Sequence, residues 1–482
     1  ATAMMDSSPI VCITGQVPAA AIGSDAFQET DVTGVTLPIT KHNYLVTRGE
    51  EIAPALREAF YVARTGRPGP VLVDITKDAQ MQTVDFDWDD GPVRLPGYRP
   101  DLRARPEALD RALGLIESAE RPLILAGHGV LMSGAMDELL EFVGVTRIPV
   151  AVTLLGIGAI PASHPLNLGM MGMHGEAWVN KAIQEADLLL AFGMRFDDRV
   201  TGNLATYAPH ASKVHVDIDP SEIDKVVKVD VGIIGDLKQI LRQFLPRLDP
   251  KPRDGWLARI EELKRDSADR DIQNWPDDGR LYAAHVIHDI WRLARGQATI
   301  VTDVGQHQMW QAQYYRHEEP YRLITSGGLG TMGFGLPAAI GAWFARPGEQ
   351  IWAIVGDGGF QMTAAELSTC VQESVKINVA VINNGYLGMV RQWQEFFYER
   401  RYAATPIRSP DFVKLAEAHG LTGLRVESRG DVEAAVRRAH REPGGVVIDF
   451  RVEGEDCVYP MVPAGADLDA MIRRPKPIPE RH

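Results

Sequence analysis

Two apolar runs near the carboxyl end of the chain are each followed by residues with side-chain oxygens. Ile351–Val355 leads into Gly356-Asp-Gly, and Val379–Ile382 leads into Asn383-Asn384, with 24 residues between the two motifs. This pattern predicts strand, turn, helix and strand, with both motifs at the carboxyl ends of parallel strands, where open α/β sheets bind ligands. Asp357 and an asparagine amide are hard oxygen ligands that suit Mg²⁺, and glycine lets the backbone approach a phosphate. The spacing therefore predicts a parallel α/β sheet with a metal-diphosphate site at one edge.

Length and composition allow several globular domains and disfavour some partners. A chain of 482 residues suggests about three domains. The formal charge of −14 argues against nucleic acid or an anionic membrane as a partner. The cysteines Cys12, Cys370 and Cys457 have no zinc or disulfide spacing, and no apolar run reaches the roughly 18 residues of a membrane helix. We therefore expect a cytoplasmic protein, with an organelle as the open alternative.

Strand-like runs alternate with helical patterns, which predicts mostly parallel α/β layers. Linker-like stretches at about 83–105 and 246–255 separate blocks of about 1–85, 100–250 and 280–482. Helices are predicted at about 363–373 and 256–270. The predicted strands are Ile10–Thr14, Val71–Ile75, Leu123–Ala126, Val150–Thr153, Leu188–Phe192, Val214–Ile218, Thr299–Val301, Ile351–Val355, Val379–Ile382 and Val446–Phe450.

Two further segments carry residues suited to holding a ligand. Residues 326–341 contain six glycines before a predicted helix, a density that lets a backbone wrap closely around a ligand. Met332 is the only large flexible apolar residue there, either a wedge against a cofactor or a core residue beside a turn. Gln306 and His307 follow a predicted strand and can reach a phosphate, although a lone histidine is more often structural.

Nearly the whole chain resembles the catalytic subunits of the acetolactate synthase (acetohydroxyacid synthase) family, which depend on thiamine diphosphate (ThDP) and FAD. Arg195-Phe-Asp-Asp-Arg and Gly305-Gln-His-Gln-Met-Trp distinguish this family from most other ThDP enzymes. The other matching segments are Ile13-Thr-Gly-Gln-Val-Pro, Asp25-Ala-Phe-Gln-Glu-Thr, Ile39-Thr-Lys-His-Asn-Tyr, Gly66-Arg-Pro-Gly-Pro-Val-Leu-Val-Asp, Gly172-Met-His-Gly and Met389-Val-Arg-Gln-Trp-Gln.

The resemblance implies α/β architecture with three doubly wound parallel-sheet domains, the first truncated. Residues 1–88 would form the pyrimidine-binding domain, 100–265 the FAD domain and 280–482 the diphosphate-binding domain. A homodimer or homotetramer with active sites between subunits is implied, and a small regulatory subunit is typical of the family.

The resemblance also assigns residues to the ThDP site. Met332 matches the residue that holds the cofactor bent, and the backbone of Gly330 matches a contact to the aminopyrimidine. The implied diphosphate contacts are Gln306, His307, Gly358 and Gly359. The implied Mg²⁺ ligands are Asp357, Asn384 and the carbonyl of Tyr386.

Four residues match the family's substrate pocket. Arg199 corresponds to the cation that meets the acceptor carboxylate, a task suited to a bidentate guanidinium. Trp393 corresponds to the aromatic that favours 2-ketobutyrate, with Met389 nearby, and Gln28 lines the substrate channel. Without the family, Arg199 would be interpreted as an ion-pair partner of the neighbouring aspartates, and Trp393 as a core residue.

The middle block matches the family's FAD domain, in which FAD is mainly structural. The sequence has no clean Gly-x-Gly-x-x-Gly pattern, and Gly127-His-Gly is a poor substitute. The implied FAD contacts are Thr153, Gly172, His174, Arg195, Asp217, Asp219 and Asp236, with Arg67 reaching over from the first block.

The implied activity is decarboxylation of pyruvate on ThDP and condensation of the hydroxyethyl unit with pyruvate or 2-ketobutyrate, as in branched-chain amino acid biosynthesis. The alternatives are a related ThDP/FAD enzyme, such as glyoxylate carboligase, sulfoacetaldehyde acetyltransferase or oxalyl-CoA decarboxylase, and a cofactor-binding protein without turnover. The family's activating glutamate lies in a longer N-terminal segment and has no counterpart in this sequence. We therefore expect severely impaired loss of the C2 proton in this chain. An incomplete sequence is the favoured explanation over a truncated homologue or an altered protein.

Overall fold

The protein is described by a computed structural model that covers residues 1–86, 91–100 and 103–476. It contains two compact units, one formed by Ala1–Arg103 with Gly327–Gly330 and the other by Ala104–Ser326 with the chain from Thr331 onward. The described residues form three sheets, in which every pair of neighbouring strands is parallel. This confirms the predicted α/β class with three parallel sheets.

The first unit has a sheet of three strands, β1 (Val11–Gln16), β2 (His42–Val46) and β3 (Val71–Thr76), in the order β1-β3-β2. Every residue of the central strand β3 is buried, because the apolar side of the helix Ile52–Arg64 belongs to the same core. The other helices are Thr2–Met5, Val32–Thr36 and Lys77–Met81, with 3₁₀ turns at Ala19–Ala21, Leu37–Ile39 and Gly49–Glu51.

The second sheet lies in the second unit and has the strand order β6-β5-β4-β7-β8-β9. Its strands are β4 (Pro122–Ala126), β5 (Val150–Val152), β6 (Asn167–Met170), β7 (Leu188–Phe192), β8 (Ser212–Asp217) and β9 (Val231–Ile234). Alternate residues of β4 enter two separate apolar cores, so both faces of the sheet are covered. The helices around it are Pro106–Ser118, His128–Met132, Met136–Thr146, Ala177–Glu185, Asp198–Thr201, Leu237–Phe244 and Asp254–Ala268, with 3₁₀ turns at Leu154–Gly156, Pro220–Glu222 and Leu245–Arg247.

The chain reverses its direction of travel across this sheet between β4 and β7, the order found in dinucleotide-binding folds. Gly127 and Gly129 follow β4, and Gly193 follows β7 with φ +61°. A Cβ on Gly129 would lie 2.6 Å from the Cα of Gly193, so only glycines let these two turns meet. Gly127-His-Gly therefore stands at the reversal point, although it is an incomplete nucleotide-binding pattern.

The third sheet, also in the second unit, has the order β11-β10-β12-β13-β15-β14. Its strands are β10 (Thr299–Thr302), β11 (Leu323–Ile324), β12 (Ile351–Gly356), β13 (Asn378–Asn383), β14 (Thr422–Val426) and β15 (Val446–Arg451). The helices are Ala283–Ala294, Gln306–Tyr314, Gly335–Ala345, Asp357–Thr363, Leu367–Gln372, Gly388–Phe397, Phe412–Ala418 and Val432–Arg441, with 3₁₀ turns at Ile272–Asn274, Ala364–Glu366 and Arg429–Asp431.

All ten predicted strands overlap strands of the structure, and the helix predicted at 256–270 overlaps Asp254–Ala268. The helix predicted at 363–373 is wrong in its start, because helical structure begins at Asp357 and a 3₁₀ turn at Ala364–Glu366 interrupts it. The linker predicted at 83–105 has no helix or strand in its described residues, while 87–90 and 101–102 lie outside them. No helix within the described ranges is long and apolar enough to cross a membrane.

Candidate functional site

The predicted metal-diphosphate residues gather where the third sheet reverses its strand order. The strands β10 and β12 are neighbours, and β11 lies on the far side of β10. Gln306 and His307 follow β10, Asp357 follows β12 directly, and Asn384 follows β13. The carboxyl ends of parallel strands at such a reversal form a ligand-binding crevice.

Asp357 is buried, and the donors Ser409 and Gly385 converge on one oxygen of its carboxylate. The hydroxyl of Ser409 donates to Oδ2 at 3.0 Å, and the backbone N–H of Gly385 donates to the same oxygen at 3.2 Å. Burial raises the pKa of Asp357 to about 6, and these hydrogen bonds act in the opposite direction. A buried carboxylate with few positive neighbours is a suitable ligand for a cation.

Asn384 forms a tight turn after β13. Its Oδ1 accepts from the backbone N–H of Tyr386 at 3.0 Å, and its Nδ2 donates to Oε1 of Gln306 at 3.1 Å. Gly385 has φ +72°, and its carbonyl accepts from the N–H of Ile407 at 2.9 Å. The turn is therefore fixed from both sides. It carries Asn384 and Tyr386, and the third predicted metal ligand, Asp357, lies at the end of the neighbouring strand β12.

Gln306 and His307 differ in how many of their side-chain polar atoms are hydrogen-bonded. The side chain of Gln306 is fully engaged, because its Nε2 also donates to Oε1 of Gln392 at 2.9 Å and to the carbonyl of Asp456 at 3.1 Å. His307 is buried, and its Nε2 has no hydrogen-bond partner among the described residues. Burial lowers the pKa of His307 to about 4, so the ring is neutral at pH 7. A buried ring nitrogen without a partner is a free position for a ligand contact.

The glycines around this crevice are required by close approach. A Cβ on Gly356 would lie 2.8 Å from Cε1 of His307. A Cβ on Gly358 would lie 2.7 Å from Cδ2 of Leu387, and the methyl of Met332 is 3.9 Å from the same position. A Cβ on Gly359 would lie 2.9 Å from Cγ of Asp303. The chain packs too closely around these three positions for a side chain, so glycine is needed at each of them beside Asp357.

Asp303 organises the glycine-rich segment, a function that the sequence did not reveal. Its Oδ1 accepts from the N–H of Gly333 at 3.1 Å, and its Oδ2 accepts from the N–H of Gly335 at 2.9 Å. Val304 donates its N–H to Oδ1 at 2.7 Å. The segment that carries Met332 is thus held by one buried carboxylate. Met332 itself is 36% exposed, which leaves its side chain available to a ligand.

Arg391 and Gln392 are also buried residues that sequence reasoning missed. Gln392 lies between Gln306 and Val458, and its Oε1 accepts from the N–H of Val458 at 2.7 Å. Arg391 pairs with Glu395 at 2.9 Å and donates to the carbonyl of Glu455 at 2.8 Å. Glu395 is four positions from Arg391, but the other partners, Gln306, Glu455 and Val458, lie more than 60 positions away, where the local sequence gives no signal.

The predicted acceptor residues occupy two places in the second unit. Arg199 lies in the short helix Asp198–Thr201, with its side chain 61% exposed and its NH1 3.7 Å from a carboxylate oxygen of Asp198. NH1 also lies 3.7 Å from Sδ of Met173, and because both contacts are long the exposed guanidinium can still meet another anion. Trp393 and Met389 lie on the helix Gly388–Phe397. The ring centroids of Trp393 and Phe397 are 5.2 Å apart, and Met389 packs against the apolar core of the third sheet.

The predicted FAD residues of the second unit line the carboxyl edge of the second sheet. Four of them cap local turns by accepting backbone N–H groups, namely Thr153, Asp217, Asp219 and Asp236. Gly172 has φ +101°, and a Cβ at this position would lie 3.1 Å from Cα of Val200. Arg195 follows β7, with its NH2 3.7 Å from Asp197. Their common edge is where a dinucleotide binds in this strand order.

The C-terminal segment 456–462 contacts residues of both sites. The carbonyl of Pro460 lies 3.2 Å from Nδ1 of His174, and burial lowers the pKa of His174 to about 4. The N–H of Val462 donates to the carbonyl of Met173 at 2.9 Å. Because Asp456 and Val458 contact Gln306 and Gln392, the same segment touches the diphosphate side.

Gly330, Gln28 and Arg67 belong to the first unit. Gly330 has φ +67°, and Gln28 is exposed with φ +65°. Nε of Arg67 donates to Oγ of Ser7 at 2.9 Å. Their assignments to cofactor and channel stay predictions.

Comparison with known proteins identifies the family. Residues 303–450 match the thiamine pyrophosphate enzyme C-terminal TPP binding domain, and residues 109–244 match the thiamine pyrophosphate enzyme central domain. The chain is 47% identical to acetolactate synthase of Mycobacterium bovis over 97% of its own length and 77% of that relative. The chain belongs to the acetolactate synthase large-subunit family.

Two more distant relatives agree. The acetolactate synthase large subunit of Corynebacterium glutamicum is 45% identical over 97% of this chain and 76% of its own length. The probable acetolactate synthase large subunit of Methanocaldococcus jannaschii is 42% identical over 98% of this chain and 81% of its own length. Membership of this family makes the chain a ThDP-dependent enzyme with thiamine diphosphate as its cofactor.

Proposed function

We propose that the protein catalyses the acetolactate synthase reaction, in which pyruvate is decarboxylated and its two-carbon unit is joined to pyruvate or 2-ketobutyrate. The observation that carries this proposal is the reversal point of the third sheet, where Asp357, Asn384 and His307, whose Nε2 has no partner among the described residues, lie together in a chain 47% identical to an acetolactate synthase. Branched-chain amino acid biosynthesis is the process that such a product would serve.

The residues at the reversal point fit Mg²⁺ and a diphosphate. Among the described residues no three of His, Cys, Asp or Glu could hold a metal together. Asp357, Asn384 and the Tyr386 carbonyl instead offer one carboxylate, one amide oxygen and one backbone oxygen, and Mg²⁺ commonly completes such a set with phosphate oxygens. Nε2 of His307, which has no hydrogen-bond partner among the described residues, would contact the diphosphate. The backbone at Gly358 and Gly359, which carries no side chain, would approach the diphosphate.

The chain's residues bind and orient the reactants. When bound, ThDP supplies the electron sink that lets a 2-keto acid lose CO₂. Met332, whose methyl lies beside Gly358, would pack against the cofactor from the segment that Asp303 fixes. Arg199 would hold the acceptor carboxylate through its exposed guanidinium, and Trp393 would shape the apolar side of the acceptor pocket, with Met389 supporting it from the core.

FAD is the proposed second cofactor, at the carboxyl edge of the second sheet. The strand order of that sheet supports it, together with the position of the turn-capping residues Thr153, Asp217, Asp219 and Asp236 at the carboxyl ends of its strands. Gly172, His174 and Arg195 would complete the site. The FAD would have a structural function.

We also propose the domain limits 1–88, 100–265 and 280–482, which the three separate sheets support. A homodimer or homotetramer with a small regulatory subunit is proposed because relatives carry the name large subunit. Light scattering of the purified protein, with and without a candidate small subunit, tests the assembly.

Cofactor binding tests the site directly. Asp357→Asn is expected to lower the affinity for ThDP with Mg²⁺ by at least about tenfold, because a charged ligand becomes neutral. Asp249→Asn, in an exposed loop, is the matched control and should bind as the unchanged protein does. Calorimetric titration measures both. Equal affinity in the two variants would refute the metal assignment.

The choice of substrate separates the family's reaction from its relatives. CO₂ release should be greatest with pyruvate and small with glyoxylate, sulfoacetaldehyde or oxalyl-CoA. Arg199→Ala should raise the KM for the acceptor 2-keto acid much more than it changes cofactor affinity, and Arg199→Lys should restore only part of it. A preference for another donor would replace the proposed activity with that of the corresponding enzyme.

A further inference from the structure

We propose that Ser409 is a positioning residue that restricts Asp357 to a single metal-binding oxygen and thereby favours Mg²⁺ over Ca²⁺. This inference rests on the proposed binding of Mg²⁺ with a diphosphate at Asp357. It adds a residue that lies 52 positions from Asp357 in the chain.

The hydrogen bonds on Asp357 are unevenly divided between its two oxygens. Oδ2 accepts from the hydroxyl of Ser409 at 3.0 Å and from the N–H of Gly385 at 3.2 Å. A carboxylate oxygen has about two lone-pair positions, so these two donors occupy Oδ2. Oδ1 receives neither bond. A cation at Asp357 is therefore offered one oxygen, Oδ1.

One-oxygen coordination distinguishes the two common divalent cations. Mg²⁺ is small and demands octahedral geometry at about 2.1 Å, which a carboxylate satisfies with one oxygen. Ca²⁺ accepts six to eight ligands and readily takes both oxygens of a carboxylate. Occupying Oδ2 removes the second oxygen that Ca²⁺ would use, while Mg²⁺ loses nothing.

The position of Ser409 is itself fixed by a chain of polar contacts. Asp411 caps the helix Phe412–Ala418 and accepts from Arg425 at 2.7 Å. Arg425 also donates to the buried carboxylate of Asp449 at 3.3 Å, and Asp449 accepts from Asn383 at 2.8 Å. Asn383 directly precedes the predicted ligand Asn384. The loop that carries Ser409 and the strand that ends just before Asn384 are thus both connected to the buried carboxylate of Asp449.

The part of this loop that precedes Ser409 is hydrogen-bonded to the turn that follows Asn384. The N–H of Ile407 donates to the carbonyl of Gly385 at 2.9 Å, and the N–H of Leu387 donates to the carbonyl of Thr405 at 2.8 Å. The chain is therefore held in place both before and after Ser409, which keeps the hydroxyl of Ser409 beside Oδ2 of Asp357.

The test compares Ser409→Ala with Ser409→Thr, which keeps a hydroxyl donor. Ser428→Ala is the matched control, because the hydroxyl of Ser428 also donates to a carboxylate, that of Asp431 at 2.7 Å, on an exposed turn away from the site. The intact protein is stripped of metal, and MgCl₂ and CaCl₂ are titrated separately by calorimetry in the presence of ThDP. The measured quantity is the ratio of the Mg²⁺ and Ca²⁺ affinities.

Ser409→Ala should shift that ratio toward Ca²⁺ by about tenfold, equivalent to about 1.4 kcal/mol. The unchanged protein, Ser409→Thr and Ser428→Ala should share one ratio that favours Mg²⁺. A general structural defect would lower both affinities together, so an unchanged ratio in Ser409→Ala overturns the inference. If the unchanged protein binds neither cation with ThDP, the proposed function fails and this inference fails with it, whereas binding with an unchanged ratio refutes only Ser409.

Discussion

The buried carboxylate of Asp303 offers the sharpest test of how the glycine-rich segment is held. Its two oxygens accept from different backbone groups, Gly333 at Oδ1 and Gly335 at Oδ2. In Asp303→Asn one of these oxygens becomes an NH₂ group, which places two donors against each other. The substitution loses one hydrogen bond to a charged acceptor, worth about 1.5–3 kcal/mol, and leaves a buried N–H unpaired at about 1–3 kcal/mol. We expect a local destabilisation of about 3–5 kcal/mol.

Hydrogen exchange followed by mass spectrometry measures this loss where it occurs. A local loss of about 3 kcal/mol corresponds to roughly hundredfold faster exchange for the amides of Gly333 and Gly335. The matched control is Asp31→Asn, an exposed helix cap in the first unit that accepts from Gly34 at 2.9 Å, because asparagine caps a helix about as well as aspartate. Exchange at Gly333 and Gly335 that stays within about threefold of the unchanged protein would refute the reasoning.

Two further predictions concern the second sheet. Burial raises the pKa of Glu176 to about 8, aided by the Asp271 carboxylate, so its stabilising contribution is present below its ordinary pKa and is lost as the pH rises toward 8. The free energy of unfolding of Glu176→Gln should therefore exceed that of the unchanged protein at pH 8 by on the order of 1–3 kcal/mol, after allowance for solvent screening of the charge. At pH 4 the two proteins should have nearly equal stability. Equal melting temperatures at pH 8 would contradict this. Gly172→Ala should lose stability and bound flavin, because φ is +101° and the added Cβ would clash with the backbone at Val200. The control Gly114→Ala lies in a helix with open space around it and should raise the melting temperature slightly. Flavin retained by Gly172→Ala would count against the proposed flavin site.

The strands that the sequence did not reveal share one property. The five missed strands, His42–Val46, Asn167–Met170, Leu323–Ile324, Val231–Ile234 and Thr422–Val426, all lie at sheet edges. Interior strands are covered on both faces and form continuous apolar runs. An edge strand has a neighbour on one side only, so its sequence can be short or mixed, as in β14, where four of five residues are partly or fully exposed. Apolar runs therefore predicted the sheet interiors, and of the edge strands they revealed only β1.

In the candidate site, too, some residues could be predicted from the local sequence and others could not. Asp357 and Asn384 were predicted because each follows an apolar run closely, so local sequence places it at a strand end. The residues that support them are distant in the chain. Asp303 contacts a glycine 30 positions away, Ser409 contacts Asp357 across 52 positions, and Gln392 contacts Gln306 across 86. A single sequence contains no pattern for such pairs, because only the folded chain brings them together.

The segment 456–462 has a consequence for how losses of cofactor should be interpreted. Its backbone carbonyls and amides serve Gln306 and Gln392 on one side, and Met173 and His174 on the other. A protease that cut this segment would release both neighbourhoods in one event. Thiamine diphosphate and the proposed flavin would then disappear from the protein at the same rate, although no residue proposed to contact either cofactor had been altered. Parallel loss of the two cofactors would therefore identify damage to this short connection and not damage to either binding site.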